Sequence, residues 1–297
     1  MTVKRRWAPL TLALPAVLAC GLAACSETPE AALPAPAASS VPVTSSAPGD
    51  PTVRMVSRDG RRLAFHVTPG KLPAIVLDAG GGEDSSYWKG LVPQISQATG
   101  SEVITYDRAG MGDSDEVPGA WDPVRAAGDL KAGLTQLGVT DDVVLVSHSQ
   151  AGEVATYFVR ENPGWVDGAV LVDANLPPFF TDAEVDRIVA VNGPQIEALK
   201  QQPSTRENRQ LIATAENFGP VHKAYHKMSW PADVPKTVIV SEKTPFDGSP
   251  EDAQRWRAAA ATFAEPGKAV TAERSSHDVP LDRPELVLDE IKQMAAR

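Results

Sequence analysis

Cysteine is nearly absent. The 297-residue chain has two, Cys20 and Cys25, and none follows them. The body of the protein can therefore form neither a disulfide nor a thiolate metal centre. Positive charge is also in short supply: 28 Lys and Arg stand against 38 Asp and Glu, for a net charge of −10. Nucleic-acid binding needs a basic patch or stripe, so that class of partner is not expected, and the balance instead describes an acidic, soluble body. Aromatic residues are 6% of the chain and no internal repeat is evident, but hydrophobic residues make up 42%, enough for the core of one large α/β domain.

The N-terminus does not read as part of that domain. Lys4-Arg5-Arg6 precede an apolar run that begins at Trp7 and is interrupted by proline. This is the build of an export signal, too short for a comfortable membrane span. It ends in Leu22-Ala23-Ala24-Cys25, which resembles the lipobox of bacterial lipoproteins; Val17-Leu18-Ala19-Cys20 is a weaker match. Residues 1–24 are thus expected to be a signal peptide, Cys25 the lipidated residue, and the mature protein lipid-anchored on the extracytoplasmic face of the cell membrane. Residues 25–50 are mainly Pro, Ala and Ser, with too little apolar surface to offset ordering entropy, and are expected to be a flexible tether. The folded domain is expected to span 51–297.

Within it the signals alternate. Two β-forming stretches flank Asp59-Gly60, a hairpin signature. Apolar runs such as "PAIVLDAGGG", "VITYDRAGMG", "VVLVSHS", "GAVLVDA" and "KTVIVS" end in glycine-rich or polar loops and alternate with helical patterns. Continuous apolar strands separated by helices predict a mostly parallel sheet covered on both faces. The segment from about 176 to 235 is helical in pattern and breaks the rhythm, as an insertion over one end of the sheet would.

In such sheets sites form at the carboxyl ends of strands. Ser149 stands at one of these ends, between a strand and a helix, in Ser147-His148-Ser149-Gln150-Ala151-Gly152. A nucleophilic serine on so tight a turn needs small residues two positions either side, usually as G-x-S-x-G. Here Ser147 and Ala151 replace both glycines yet remain small. The plainer reading of Ser149 is the N-cap of an ordinary helix.

Taken together, "LDAGGGEDSSYW", "YDRAGMGDSD", "SHSQAG" and "SSHDVPLDRPELV", in that order, resemble the α/β-hydrolase family over nearly all of 53–297. The resemblance implies an α/β-hydrolase fold with a small helical cap, no cofactor and no metal, and a serine nucleophile at Ser149. Of the five histidines, His277 is the one placed to act as its base. His66 lies in the early hairpin, His148 beside the nucleophile should point elsewhere, and His222 and His226 have i, i+4 metal-ligand spacing without an acidic or cysteine partner pattern.

The acid is left open between Asp173, at the end of one strand, and Asp247, a few residues beyond the usual place after the next; Glu242 is a poorer third. The oxyanion donors implied are the backbone N–H groups of Gly81 and Gln150. Family members with an aspartate nucleophile, the dehalogenases and epoxide hydrolases, need Asp where this chain has Ser149. The expected activity is therefore that of a serine hydrolase cleaving an ester or related acyl bond in a small molecule. The alternatives are an amidase, lactonase or peptidase of the same fold, or a binding protein that keeps the fold without efficient catalysis. The aromatics Phe179, Phe180, Phe218, Tyr225 and Trp230 either line an acyl pocket or pack the insertion onto the sheet.

Overall fold

The computed structural model describes residues 51–245 and 249–297; the expected signal peptide, Cys25, the expected tether and Asp247 lie outside the described residues. The chain opens on a hairpin of β1 (Thr52–Arg58) and β2 (Arg61–Thr68). Asp59 and Gly60 both have positive φ, 51° and 78°, as a two-residue turn matched to strand twist requires. β3 (Lys71–Asp78) follows, then a short 3-10 turn at Ser85–Trp88 and α1 (Val92–Thr99). The single helical pattern read across "SYWKGLVPQISQ" is divided because Pro93 can only sit in a first turn.

β4 (Ser101–Tyr106), α2 (Pro123–Leu137), β5 (Val143–His148), α3 (Ala151–Glu161) and β6 (Val166–Val172) continue the alternation. Then come α4 (Asp182–Leu199), α5 (Arg206–Glu216) and α6 (Phe218–Tyr225) before β7 (Lys236–Ser241). These three helices are the expected insertion. The chain closes with α7 (Pro250–Ala264), β8 (Lys268–Ala272), α8 (Val279–Asp282) and α9 (Pro284–Ala295).

The strands form one sheet in the order β1-β2-β4-β3-β5-β6-β7-β8. β1, β2 and β4 pair antiparallel; from β4 through β3 to β8 every pairing is parallel. Every residue of β5 and β7 is buried, as strands covered on both faces must be. Two hydrophobic clusters occupy the two faces, one built around Phe65, Leu134, Phe158 and Trp256, the other around Ile75, Trp88, Val146 and Ile291. The parallel run brings the loops after β3, β4, β5, β6, β7 and β8 to one edge. This is the α/β-hydrolase fold. Among the described residues no helix is long and apolar enough to cross a membrane.

Candidate active site

β5 delivers the chain to that edge at His148, and Ser149 then turns it into α3. Ser149 has φ of +53°, a left-handed conformation that costs a residue with a side chain and persists only where its surroundings enforce it. Backbone bonds enforce it here. The Ser149 N–H donates to Val172 O at 3.2 Å, while its carbonyl accepts from Asn175 N at 2.7 Å and Gly152 N at 3.0 Å. α3 has no side-chain cap, so Ser149 is not the helix N-cap that its position also suggested. Its Oγ instead donates to His277 Nε2 at 2.8 Å.

The small-residue requirement is met with a shift. Ala151 is buried without conflict, but a methyl on Gly152 would run into the backbone oxygen of Asn175 and approach the Ala174 side chain. Gly152 thus supplies the closest approach of the turn to the β6 loop.

His277 lies in the loop after β8. Its Nδ1–H donates to Asp173 Oδ2 at 2.6 Å. Asp173 ends β6, also with positive φ (41°), and its N–H donates to Ile239 O at 2.7 Å. Three further donors hold its buried carboxylate. Ser241 gives its N–H to Oδ1 at 3.0 Å and its Oγ–H to Oδ2 at 2.6 Å, and Trp256 gives Nε1–H to Oδ1 at 2.9 Å.

Burial alone would push the Asp173 carboxyl up; bonds from His277, Ser241 and Trp256, with the charge of His277, outweigh it and leave the group below its ordinary value. For His277, burial pushes the imidazole down. The bond and charge of Asp173, helped by Asp278 and Glu83, carry it above its ordinary value.

Of the three acids considered, Asp173 is thus in contact with the base. Glu242 is exposed and accepts from the Arg274 N–H at 2.6 Å, and Asp247 lies outside the described residues.

The glycine loop after β3 faces the serine. A methyl on Gly80 would come within 3.3 Å of Ser149 Cβ and 3.0 Å of His148 Nδ1, and one on Gly81 within 2.8 Å of the Gln150 side-chain oxygen. The loop lies this close to the Ser149 and Gln150 side chains because Gly80 and Gly81 carry none of their own. Buried Arg108 holds this loop from behind, pairing with Asp78 Oδ1 at 2.5 Å and donating to the Ala79 and Gly80 carbonyls. Glu83 accepts the Gly80 N–H at 2.8 Å.

His148 does not point away from the site as expected. Its Nε2–H donates to the His277 carbonyl at 3.0 Å and its ring stacks on Tyr87. His222 and His226 go to different partners, His222 to Glu153 and His226 to the Pro177 carbonyl. Phe179 and Phe180 are buried against Trp256 and His222, so these two pack the insertion onto the sheet.

The model of the Alpha/beta hydrolase family matches residues 75–290, more than half of the chain. The chain belongs to the α/β-hydrolase family. Among curated proteins it is similar to a probable transporter of Hormonema carpetanum, 28% identical over 62% of this chain and 25% of the relative. It is similar to an uncharacterized protein of Mycobacterium tuberculosis, 34% identical over 45% and 37%. With a non-heme haloperoxidase of Rhodococcus erythropolis it shares 42% identity over 29% and 31%. The chain thus matches between 25% and 37% of these relatives' own length.

Solved structures with the same α/β-hydrolase fold include an esterase from Thermogutta terrifontis. It has a TM-score of 0.56 and 22% identity, over 82% of this chain and 97% of that one. An esterase from Exiguobacterium antarcticum has a TM-score of 0.59 and 17% identity, over 84% and 100%.

Trp256, Ser241 and Arg108 were not anticipated as parts of this site. Only Ser241 carried a usable signal, since it stands at the strand end where the commoner acid position was sought.

Proposed function

We propose that this protein is a serine hydrolase that cleaves an ester, or a related acyl bond, of a small molecule through an acyl-enzyme intermediate. One observation carries the reading: the unbroken line Ser149 Oγ, His277 Nε2, His277 Nδ1, Asp173 Oδ2, with contacts of 2.8 and 2.6 Å. Ser149 Oγ attacks the acyl carbon while His277 Nε2 takes its proton. Asp173 holds the tautomer that leaves Nε2 free to accept and stabilises the imidazolium that forms. The oxyanion is received by the backbone N–H groups of Gly81 and Gln150. Collapse of the tetrahedral intermediate breaks the bond to the leaving alcohol, which takes the proton from His277. Water, deprotonated by the same imidazole, then releases the acid and restores Ser149. No step calls for a cofactor.

Two of the fold neighbours are esterases, which supports ester chemistry as the first class to assay. The test is labelling of the full chain with a fluorophosphonate, alongside turnover of p-nitrophenyl esters of graded acyl length. Labelling abolished by Ser149→Ala, with turnover of at least one ester, supports the proposal. An unlabelled wild-type chain with no ester turnover rejects it in favour of a binding role.

We also propose that the protein lies outside the cytoplasm, held to the membrane by lipid on Cys25. Lys4-Arg5-Arg6, the apolar run and Leu22-Ala23-Ala24-Cys25 support it. Detergent partitioning lost in Cys25→Ser, with metabolic incorporation of a fatty-acid analogue into the wild type alone, is the expected result. An unlabelled wild type rejects the anchor.

A further inference from the structure

A second histidine–carboxylate pair lies outside the line of Ser149, His277 and Asp173. Glu153, in the first turn of α3, is wholly buried. Its Oε1 accepts from Asn175 Nδ2 at 2.6 Å and from His222 Nε2 at 3.1 Å, and its Oε2 from Trp121 Nε1 at 3.2 Å. His222 gives its other ring N–H to the Phe218 carbonyl at 2.8 Å. Both nitrogens of that ring face acceptors. His222 and Glu153 thus make a buried contact between α3 and α6, with Nε2 and Oε1 3.1 Å apart.

Three residues along α6, Tyr225 makes a parallel connection. Its hydroxyl donates to the Asn175 carbonyl at 2.8 Å, lies 3.1 Å from the Gly152 carbonyl and meets Thr156 Oγ at 3.0 Å.

Both connections converge on Asn175. Its side chain is held by Glu153, its carbonyl by Tyr225, and its own N–H is the donor that grips the Ser149 carbonyl at 2.7 Å. Asn175 also stands two residues after Asp173. A left-handed serine needs surroundings that over-determine it, and one of its three backbone bonds, that from Asn175, is anchored by the insertion.

We propose that Glu153, His222 and Tyr225 are positioning residues through which α6 clamps Asn175 onto the Ser149 carbonyl, so that the reactivity of Ser149 depends on the docked cap. The inference rests on the reading of Ser149 as nucleophile. The cap in this view is part of the machinery that shapes the catalytic turn, in addition to covering it.

Tyr225→Phe removes only the hydroxyl, and His222→Gln keeps one N–H for Glu153 while removing the ring and its contact with the Phe218 carbonyl. For each full-length variant the rate constant of fluorophosphonate labelling is measured per folded molecule, with kcat and KM for p-nitrophenyl acetate. Misplacing a reacting group by a fraction of an ångström to an ångström costs about 10- to 100-fold. Labelling rate and kcat are therefore expected to fall together by about that factor, with KM within about threefold, since the bonds lost orient the nucleophile and do not bind substrate.

Wild-type labelling in folded Tyr225→Phe and His222→Gln, with Ser149→Ala inert, overturns this inference alone and leaves the bonds as cap packing. Wild-type turnover in Ser149→Ala overturns the nucleophile reading and this inference with it. Should Tyr225→Phe not fold, His222→Gln decides on the same readout.

Discussion

The indole of Trp256 reaches from α7 to the acid at the end of β6, donating Nε1–H to Asp173 Oδ1 at 2.9 Å. The two residues are 83 positions apart in the chain. Trp256→Phe keeps most of the ring volume and removes the donor, leaving a buried carboxylate oxygen with one partner fewer. That loss costs about 1–3 kcal/mol. Thermal unfolding should shift down accordingly and kcat should fall with it, because Asp173 retains His277 but loses part of its own orientation. Unchanged values of both would show that the indole only fills space.

Ser149→Ala and His277→Ala should each remove turnover by about 10⁴-fold or more, because groups that act in series are not partly replaceable. Circular dichroism should show both chains folded. Asp173→Asn should cost about 10²-fold or more, since an amide cannot orient the imidazole in the working tautomer. Asp247→Asn is expected to cost far less, and the reverse ranking would move the acid to the β7 loop.

The pH dependence has a definite sign. His277 works as a base only when neutral, and Asp173 holds its proton affinity above the ordinary imidazole value of about 6.5. The acid limb of kcat/KM should therefore lie above that value and activity should rise with pH through it. In Asp173→Asn the support is gone while burial remains, so residual activity should show a limb displaced to lower pH. Stability runs the other way. A group that binds its proton more tightly when folded contributes stabilisation below its unfolded pKa and loses it as pH rises through the folded one. Protonated His277 thus stabilises the chain most where it is catalytically idle. Parallel pH–rate and pH–melting curves check both halves.

Arg108 and Asp78 are both buried and paired at 2.5 Å. Arg108→Met leaves Asp78 without its countercharge and frees the Ala79 and Gly80 carbonyls. A buried pair broken from one side costs about 3–5 kcal/mol. Equilibrium unfolding should report a loss of that size. Any folded fraction should turn over more slowly, because the loop opposite Ser149 is no longer held from behind.

Much of the architecture was legible from local pattern. Apolar runs ending in small or polar residues marked the parallel strands, Asp59-Gly60 marked the hairpin, and the strand-to-helix junction at Ser149 marked the edge that carries the candidate site. Ser149, His277 and Asp173 could be named because each follows a strand, and parallel strands deliver their ends to one place. What stayed hidden depends on contacts between distant segments. Nothing around Trp256 in "AQRWRAAA" announces a carboxylate partner, and Glu153 in "AGEVATY" reads as a surface residue of an amphipathic helix. Its burial follows from α6 lying above it. His148 was misread for a related reason: alternation along a strand tells which face a side chain leaves from, not that the His277 carbonyl will be waiting there.

The turn at Ser149 also bears on how such chains are found. Ser147 and Ala151 occupy the places where a motif search would insist on glycine, and the residue whose extra methyl would strike a neighbouring backbone is Gly152. What the geometry selects is vacancy at particular points in space, and glycine is only the commonest way of leaving a point vacant. A pattern that demands glycine at both places passes over this turn. One written in clearances, asking which Cβ positions around a left-handed serine must stay empty, retrieves it.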